Sequence, residues 1–214
     1  MELSPDSRPI FRFSMFEAFW QNKQKAIERY FPEATEDRQV SKWMTFGSAI
    51  AELLEARPLD EFLAKMKVIN RDNTPSDVPL AYDVNEYRII EDIDGFLVRG
   101  TLDSFEHERC KFLDNKATKE VWSANKVQGH VQLDFYSLLV QVKHGKVDDV
   151  SHIVNMPVAE DENGIVRLTG VPAVATPHIT TQEMRDAMRE RIINTAKEMT
   201  TLYEAYKAGN LKLN

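Results

Sequence analysis

Asp103, Asp114 and Lys116 are the residues of this chain whose types and spacing could do chemistry. They fall in RGTLDSFEHERCKFLDNKAT, residues 99–118, near the ends of two short apolar runs with strand-like pattern. Strand side chains alternate, so Asp114 and Lys116 share a face, while Asn115 points away with its carbonyl beside them. On the preceding run Asp103 shares its face with Leu97, Arg99 and Thr101. If a hairpin brings Asp103 next to Asp114, two like charges meet, and a cation between them keeps both ionised. Oxygen ligands suit Mg2+ or Mn2+. Such an ion polarises a phosphoryl oxygen and acidifies bound water, and a neighbouring ammonium steadies the water or the phosphate. These parts fit metal-assisted phosphodiester hydrolysis. A D-x-K triplet alone is also ordinary strand-end chemistry, so its weight depends on the elements around it.

Those elements read as follows. Residues 14–30 have helical spacing, with Met15, Phe19, Ala26 and Tyr30 inward and Pro32 ending the run. Residues 41–56 make a second helix with a stripe of Trp43, Phe46, Ile50, Leu53 and Leu54, and 59–68 a short third. NRDNTPSDVP is a loop by composition. The period then changes to that of strands. Residues 86–105 form a hairpin turning at Asp94-Gly95, and 110–116 a third strand. A helix over 123–142, capped by Ser123, is followed by strands at 150–156 and 165–171 joined by EDENG. A final helix over 181–208 carries Met184, Met188, Ile192, Ala196, Met199 and Tyr203 along one side. The expected fold is α/β, a mixed central sheet flanked by helices.

The bulk properties bound the function. The chain has 214 residues, 43% hydrophobic and 29% charged, enough for one compact core, so a single domain is expected. A net charge of -7 argues against a generally basic nucleic-acid coat, although a basic cleft can sit on an acidic body. The single cysteine, Cys110, excludes an intrachain disulfide and any iron–sulfur cluster or zinc site held by several thiolates. The expected location is a reducing, cytoplasmic one, with no membrane role, because no run approaches a bilayer span and MELSPDSRPIFRF has no signal core.

Beyond the triplet, Gly100-Thr-Leu-Asp103, then Asp114-Asn-Lys116, then Gln132-Leu-Asp-Phe-Tyr136 follow one another in order. This succession resembles the RecB-like, phage-exonuclease-like branch of the PD-(D/E)XK nuclease superfamily, whose pattern is G-x-x-D, acid-x-Lys and Q-x-x-x-Y. FGSAIAELLE is similar to the family helix that begins G-x-x-x-H-E, and FSMFEAFWQNKQKAIERYF to its opening serine-containing helix. The resemblance implies a restriction-endonuclease-like core, with N-terminal helices over 14–68, a sheet and site over 84–171, and a C-terminal helix over 181–208. It implies Asp103 and Asp114 as metal ligands with Asn115 contributing its carbonyl, and Lys116 as the catalytic lysine. Gln132 is implied as catalytic, and Tyr136, one turn on, as lying at the cleft to contact the metal shell or DNA. Gln128 extends that stripe. Where many members have histidine, this chain has Ala51 followed by Glu52, which could supply a replacement carboxylate.

Trp122 and Lys119, just beyond the site strand, are candidate DNA contacts, with Lys111 and Lys126 adding local basicity. Arg185 and Arg189, one turn apart on the last helix, could track a nucleic-acid strand, against a solvated face as the plain alternative. Of the five histidines none has metal-ligand spacing, and His130, on a continuous helix with Gln132, would point off the cleft. The implied activity is Mg2+-dependent (or Mn2+-dependent) DNA hydrolysis, by a stand-alone exonuclease in phage or mobile-element recombination or repair. Any helicase or recombination protein would be a separate partner. The competing class is a non-catalytic module of the same fold that binds DNA or a protein.

Overall fold

The computed structural model describes residues 2–31, 42–55, 63 and 65–211. Half of the expected helix over 59–68 falls outside these residues; Leu63 and Lys65 are helical as expected, and its last position, Val68, opens a strand. Trp43 likewise lies outside the described side chains.

The chain opens with β1 (Ile10–Arg12), α1 (Phe13–Gln21) and α2 (Lys23–Tyr30). The sequence pattern predicts one helix here, but Asn22 is extended and its side chain accepts the Lys25 N–H, capping a second helix. The predicted inward residues Met15, Phe19, Ala26 and Tyr30 are all buried. Next come α3 (Lys42–Glu55), the short β2 (Val68–Asn70) and a long hairpin of β3 (Val84–Ile93) and β4 (Phe96–Glu106). In α3, Ile50 and Leu54 are buried as predicted, whereas Leu53 is exposed. The hairpin turn is Asp94-Gly95, both with positive φ, as the twist of a two-residue turn requires.

After β5 (Lys111–Thr118) the predicted single helix is again two. Ser123 caps α4 (Ala124–Gln128) by accepting the Lys126 N–H, and the chain breaks at Gly129 and His130. It restarts as α5 (Val131–His144), which ends on the left-handed Gly145. Then follow β6 (Val150–Glu160), β7 (Val166–Leu168), β8 (Ala173–Ile179) and α6 (Gln182–Lys207). The Thr181 hydroxyl caps α6, and Met188, Ile192, Ala196 and Met199 bury its inner side. Among the described residues no helix is long and apolar enough to cross a membrane.

The sheet has eight strands in the order β1-β4-β5-β6-β8-β2, with β3 on β4 and β7 on β6. It is mixed and flanked by helices, as expected. β1 lies parallel to β4, β3 and β5 are antiparallel to it, and β6 is parallel to β5. One face packs under α1, α5 and α6, where Phe16, Phe105, Phe112, Phe135 and Leu139 are fully buried. The other packs under α3 around Ile50, Leu54, Leu113 and Met156.

Two local features position the site. First, β3 pairs with one edge of β4 from Phe96 to Phe105 with a single rung missing, so β1 and β5 must share the other edge. β1 takes Leu97–Arg99, and β5 takes only Ser104–Glu106. Between these segments β4 and β5 splay apart. Second, side-chain alternation slips midway along the hairpin. Leu102 and Phe105 bury in the same core although three positions apart, and Tyr87 stacks on Phe105 at 4.5 Å. The slip falls where Glu86 adopts φ +48°, and the rung joining Glu86 to Asp103 is the one missing from the pairing.

Candidate active site

The β4–β5 register, continued one step past Ser104 and Leu113, sets Asp103 opposite Asp114 at the mouth of the splay. The ladder does not continue there. Instead the Asp103 carboxylate accepts the Asn115 N–H at 2.8 Å, a side chain taking a hydrogen bond that a strand would otherwise take. Asp114 is 2% exposed, and Lys116 Nζ lies 2.6 Å from its Oδ2. That contact is ionic without hydrogen-bond alignment, so this buried oxygen has no directional donor. Lys116 also donates to Gln132 Oε1 at 3.5 Å, and Gln132 Nε2 donates to the Tyr136 hydroxyl at 2.8 Å. Helix α5 can deliver these groups because β4 carries Gly100 beneath it. A Cβ at that position would stand 2.7 Å from Leu139 Cδ1 and 3.1 Å from the Tyr136 ring.

The electrostatics follow from this crowding. Burial, and then the Asp114 carboxylate, push Asp103 up to about 8, against the pull of Lys116 and the Asn115 N–H. Burial alone would depress Lys116, but Asp114, supported by Asp103 and Glu17, more than offsets it and holds the ammonium above its ordinary value. Lys116 is therefore a fixed cation and not a base. Burial raises Tyr136 as well, with Asp114 and Asp103 adding to the effect, so its hydroxyl stays neutral.

The site opens on both faces of the sheet. On the α3 side a cavity of about 270 Å³ is lined by Asp103, Asn115, Glu86, Ser48, Ile50 and Met156. On the α5 side a cleft of about 580 Å³ is lined by Lys116, Gln132, Tyr136 and Trp122, with Arg12, Glu17 and Arg99. Asn115 and Lys116 alternate, which is why they look into different openings.

The structure thus brings Asp103, Asp114, Asn115, Lys116, Gln132 and Tyr136 together, and sets other expected residues elsewhere. Glu52 is exposed on α3, which presents Gly47, Ser48, Ile50 and Leu54 to the cavity instead. Among the described residues no three of His, Cys, Asp and Glu gather closely enough to hold an ion. Gln128 is not on the Gln132 helix, because the chain breaks at Gly129, and both ends of its amide bond the Ile179 backbone. Trp122 is half-buried at the rim, with Lys126 Nζ 3.9 Å above its ring. Lys119 is exposed and stands 3.7 Å from Glu160. Arg185 is neither solvated nor a strand-tracking residue. It is buried, bonding Ser137, the Thr180 carbonyl and Asp149. Arg189 pairs with Asp94.

His130 needs the opposite correction. The helical break turns it into the cleft, where its Nε2 lies 3.2 Å from Gln132 Oε1 and burial lowers its basicity. Glu86, Glu17, Arg12 and Arg99 also line the two openings. Arg12 carried a signal, lying two residues before the serine of the first helix. Glu86 carried none, because a positive φ within a strand run has no compositional mark.

No family model matches the chain, and no curated protein matches it in sequence. Among solved structures, a crystal structure of a "Putative exonuclease" from Eubacterium rectale is similar at 10% identity and a TM-score of 0.49, covering 99% of this chain and 89% of that one. At that level the likeness bears on neither site nor activity, and both rest on the residues themselves.

Proposed function

We propose that this protein is a metal-dependent deoxyribonuclease of the PD-(D/E)XK type, acting as an exonuclease in phage or mobile-element DNA recombination or repair. The observation that carries the reading is the meeting of Asp103 and Asp114 across a splayed strand pair, with Lys116 set between Asp114 and Gln132. The donor set suits a hard divalent ion. Asp114 Oδ2 is buried without a directional donor, and Asp103 stands beside it. Two carboxylates and the Asn115 carbonyl would hold Mg2+ or Mn2+ while leaving room for water and a phosphate oxygen. A bound ion there supplies Lewis acidity and a more acidic water.

The chain's own residues do the rest. Asp103 and Asp114 fix the position of the reacting centre. Lys116, held cationic, offers its ammonium to the attacking water and to negative charge developing on the phosphate. Gln132 orients Lys116 through Oε1 and is itself oriented by Tyr136. Arg12 and Lys116 bring positive charge to the α5-side cleft that suits a phosphodiester backbone, while Arg99 there is paired with Glu2 and Glu17 lines the same cleft. Trp122 at its rim offers a ring to a base.

Purified protein incubated with linear and circular DNA, with Mg2+ or with chelator, tests the reading. Shortening of linear DNA that stops with chelator, with circles left intact, is the expected result. Nicked circles would make it an endonuclease. DNA binding with no metal-dependent cleavage would replace the enzyme by a binding module, the reading favoured by the exposed position of Glu52.

A further inference from the structure

We propose that Glu86 is a positioning residue, whose left-handed backbone turns Asp103 out of the β3–β4 ladder and into the gap between β4 and β5. The inference rests on Asp103 being a functional carboxylate, as read above.

Glu86 lies inside a ten-residue strand with φ +48°, a conformation that β-strands exclude and that side chains with a Cβ adopt at a cost. On either side the ladder is regular, Asn85 facing Ser104 and Tyr87 facing Leu102. Only the rung between Glu86 and Asp103 is unmade. Register is therefore conserved through the irregularity, and what changes is side-chain parity. Val84 and Tyr87 both pack on the α5-side core, as do Leu102 and Phe105, although each pair is three residues apart. Both strands slip at the same rung. Regular alternation from Phe105 would place Asp103 on the α5 face, and regular alternation from Leu102 would place it on the α3 face. The slip settles it on the α3 side, where it lines the cavity with Asn115, and not on the α5 side that alternation from Phe105 would give. It leaves the carboxylate at the strand edge, where it takes the Asn115 N–H at 2.8 Å and sits beside Asp114. Glu86 lines the same cavity as Asp103 and Asn115, so the strained residue and the carboxylate it displaces occupy one wall.

Three substitutions separate backbone from side chain. Glycine and asparagine tolerate φ near +50°, whereas a β-branched residue resists it. The direct readout is amide hydrogen exchange at Asn115, whose N–H is held by the Asp103 carboxylate. In Glu86→Gly and Glu86→Asn that amide keeps its protection. In Glu86→Val it loses protection while the Ile153 amide on β6 does not, and cleavage falls on the order of 10-fold or more below that of Glu86→Gly. Unchanged Asn115 protection in a folded Glu86→Val overturns the proposal, as does loss of protection in Glu86→Gly. If Glu86→Val does not fold, Glu86→Thr, β-branched but polar, takes its place, and unchanged Asn115 protection in it overturns the proposal. Absence of cleavage in the unsubstituted protein, with the exchange pattern as stated, defeats the nuclease reading and leaves the positioning role standing.

Discussion

Lys116 stands 2.6 Å from Asp114 Oδ2, an ammonium against a carboxylate that is 2% exposed. A charge so deeply buried depends on its partner more than the partner depends on it. Lys116→Ala should destabilise the protein by roughly 2–4 kcal/mol, because it strands Asp114. Adding Asp114→Ala should restore part of that loss, although it removes a second native side chain. Urea unfolding of the two single variants and the double variant measures the coupling, and additive losses would show that the pair is not coupled.

The same lysine should matter to chemistry. Lys116→Ala and Asp114→Ala are each expected to lower Mg2+-dependent cleavage by on the order of 100-fold or more, the effect of removing one group that stabilises transition-state charge. Single-turnover cleavage of linear DNA checks this. Activity within a few-fold of the unsubstituted protein would remove these residues from the mechanism.

Gly100 should not accept a methyl group. Its Cβ would press on the Leu139 and Tyr136 side chains, so Gly100→Ala should displace them or shift α5, which holds Gln132 against Lys116. An overpacking cost of about 1–3 kcal/mol is expected in thermal or urea unfolding. In a Leu139→Ala background Gly100→Ala should cost less than it does alone, and an undiminished cost would mean that Leu139 does not bear on β4 there.

His152 predicts an acid response. Burial first, and then Lys111, lower its pKa to about 4, against the upward pull of Asp148. The unfolded chain, with an ordinary imidazole near 6.5, binds the proton more readily than the folded one. Stability from this group is therefore complete above about 6.5 and declines as pH falls toward about 4. His152→Gln should flatten the pH dependence of stability in that window. An unchanged slope would assign the acid response to other groups.

Arg185 should be structural. Its guanidinium bonds Ser137 and the Thr180 carbonyl inside the protein, with Asp149 at the edge. Arg185→Ala leaves those acceptors without donors and is expected to cost roughly 2–4 kcal/mol. DNA affinity measured well below the unfolding temperature should not change. A salt-dependent loss of affinity would return Arg185 to the nucleic-acid surface.

What could be read from the sequence was local. Asp94-Gly95 names its own turn, the stripe from Met188 to Met199 names a buried helix face, and Gly100, Asp103, Asp114, Lys116, Gln132 and Tyr136 meet in space in the order their motifs suggest. Helix breaks were harder, because Asn22 and Gly129 interrupt runs whose apolar period continues across them. Missing the second break put His130 on the wrong side and Gln128 on the wrong helix. Strand β8 was missed because Pro172 and Pro177 flank and interrupt it, yet Pro177 lies beyond the stretch that pairs with β2, where one edge needs no donor. The β4–β5 splay and the Glu86 distortion arise from which strands share an edge, and no single segment encodes that.

That splay opens the sheet where Asp103, Asp114 and Lys116 meet. Asp103 and Asn115 look through it toward α3, and Lys116 and Gln132 toward α5. The smaller opening sets Ile50, Leu54 and Met156 beside Glu86, Asp103 and Asn115, and the larger sets Arg12, Arg99 and Lys116 beside Glu17. Asp103 and Lys116, two residues of one charged cluster, are therefore reached by solvent from opposite sides of the same sheet.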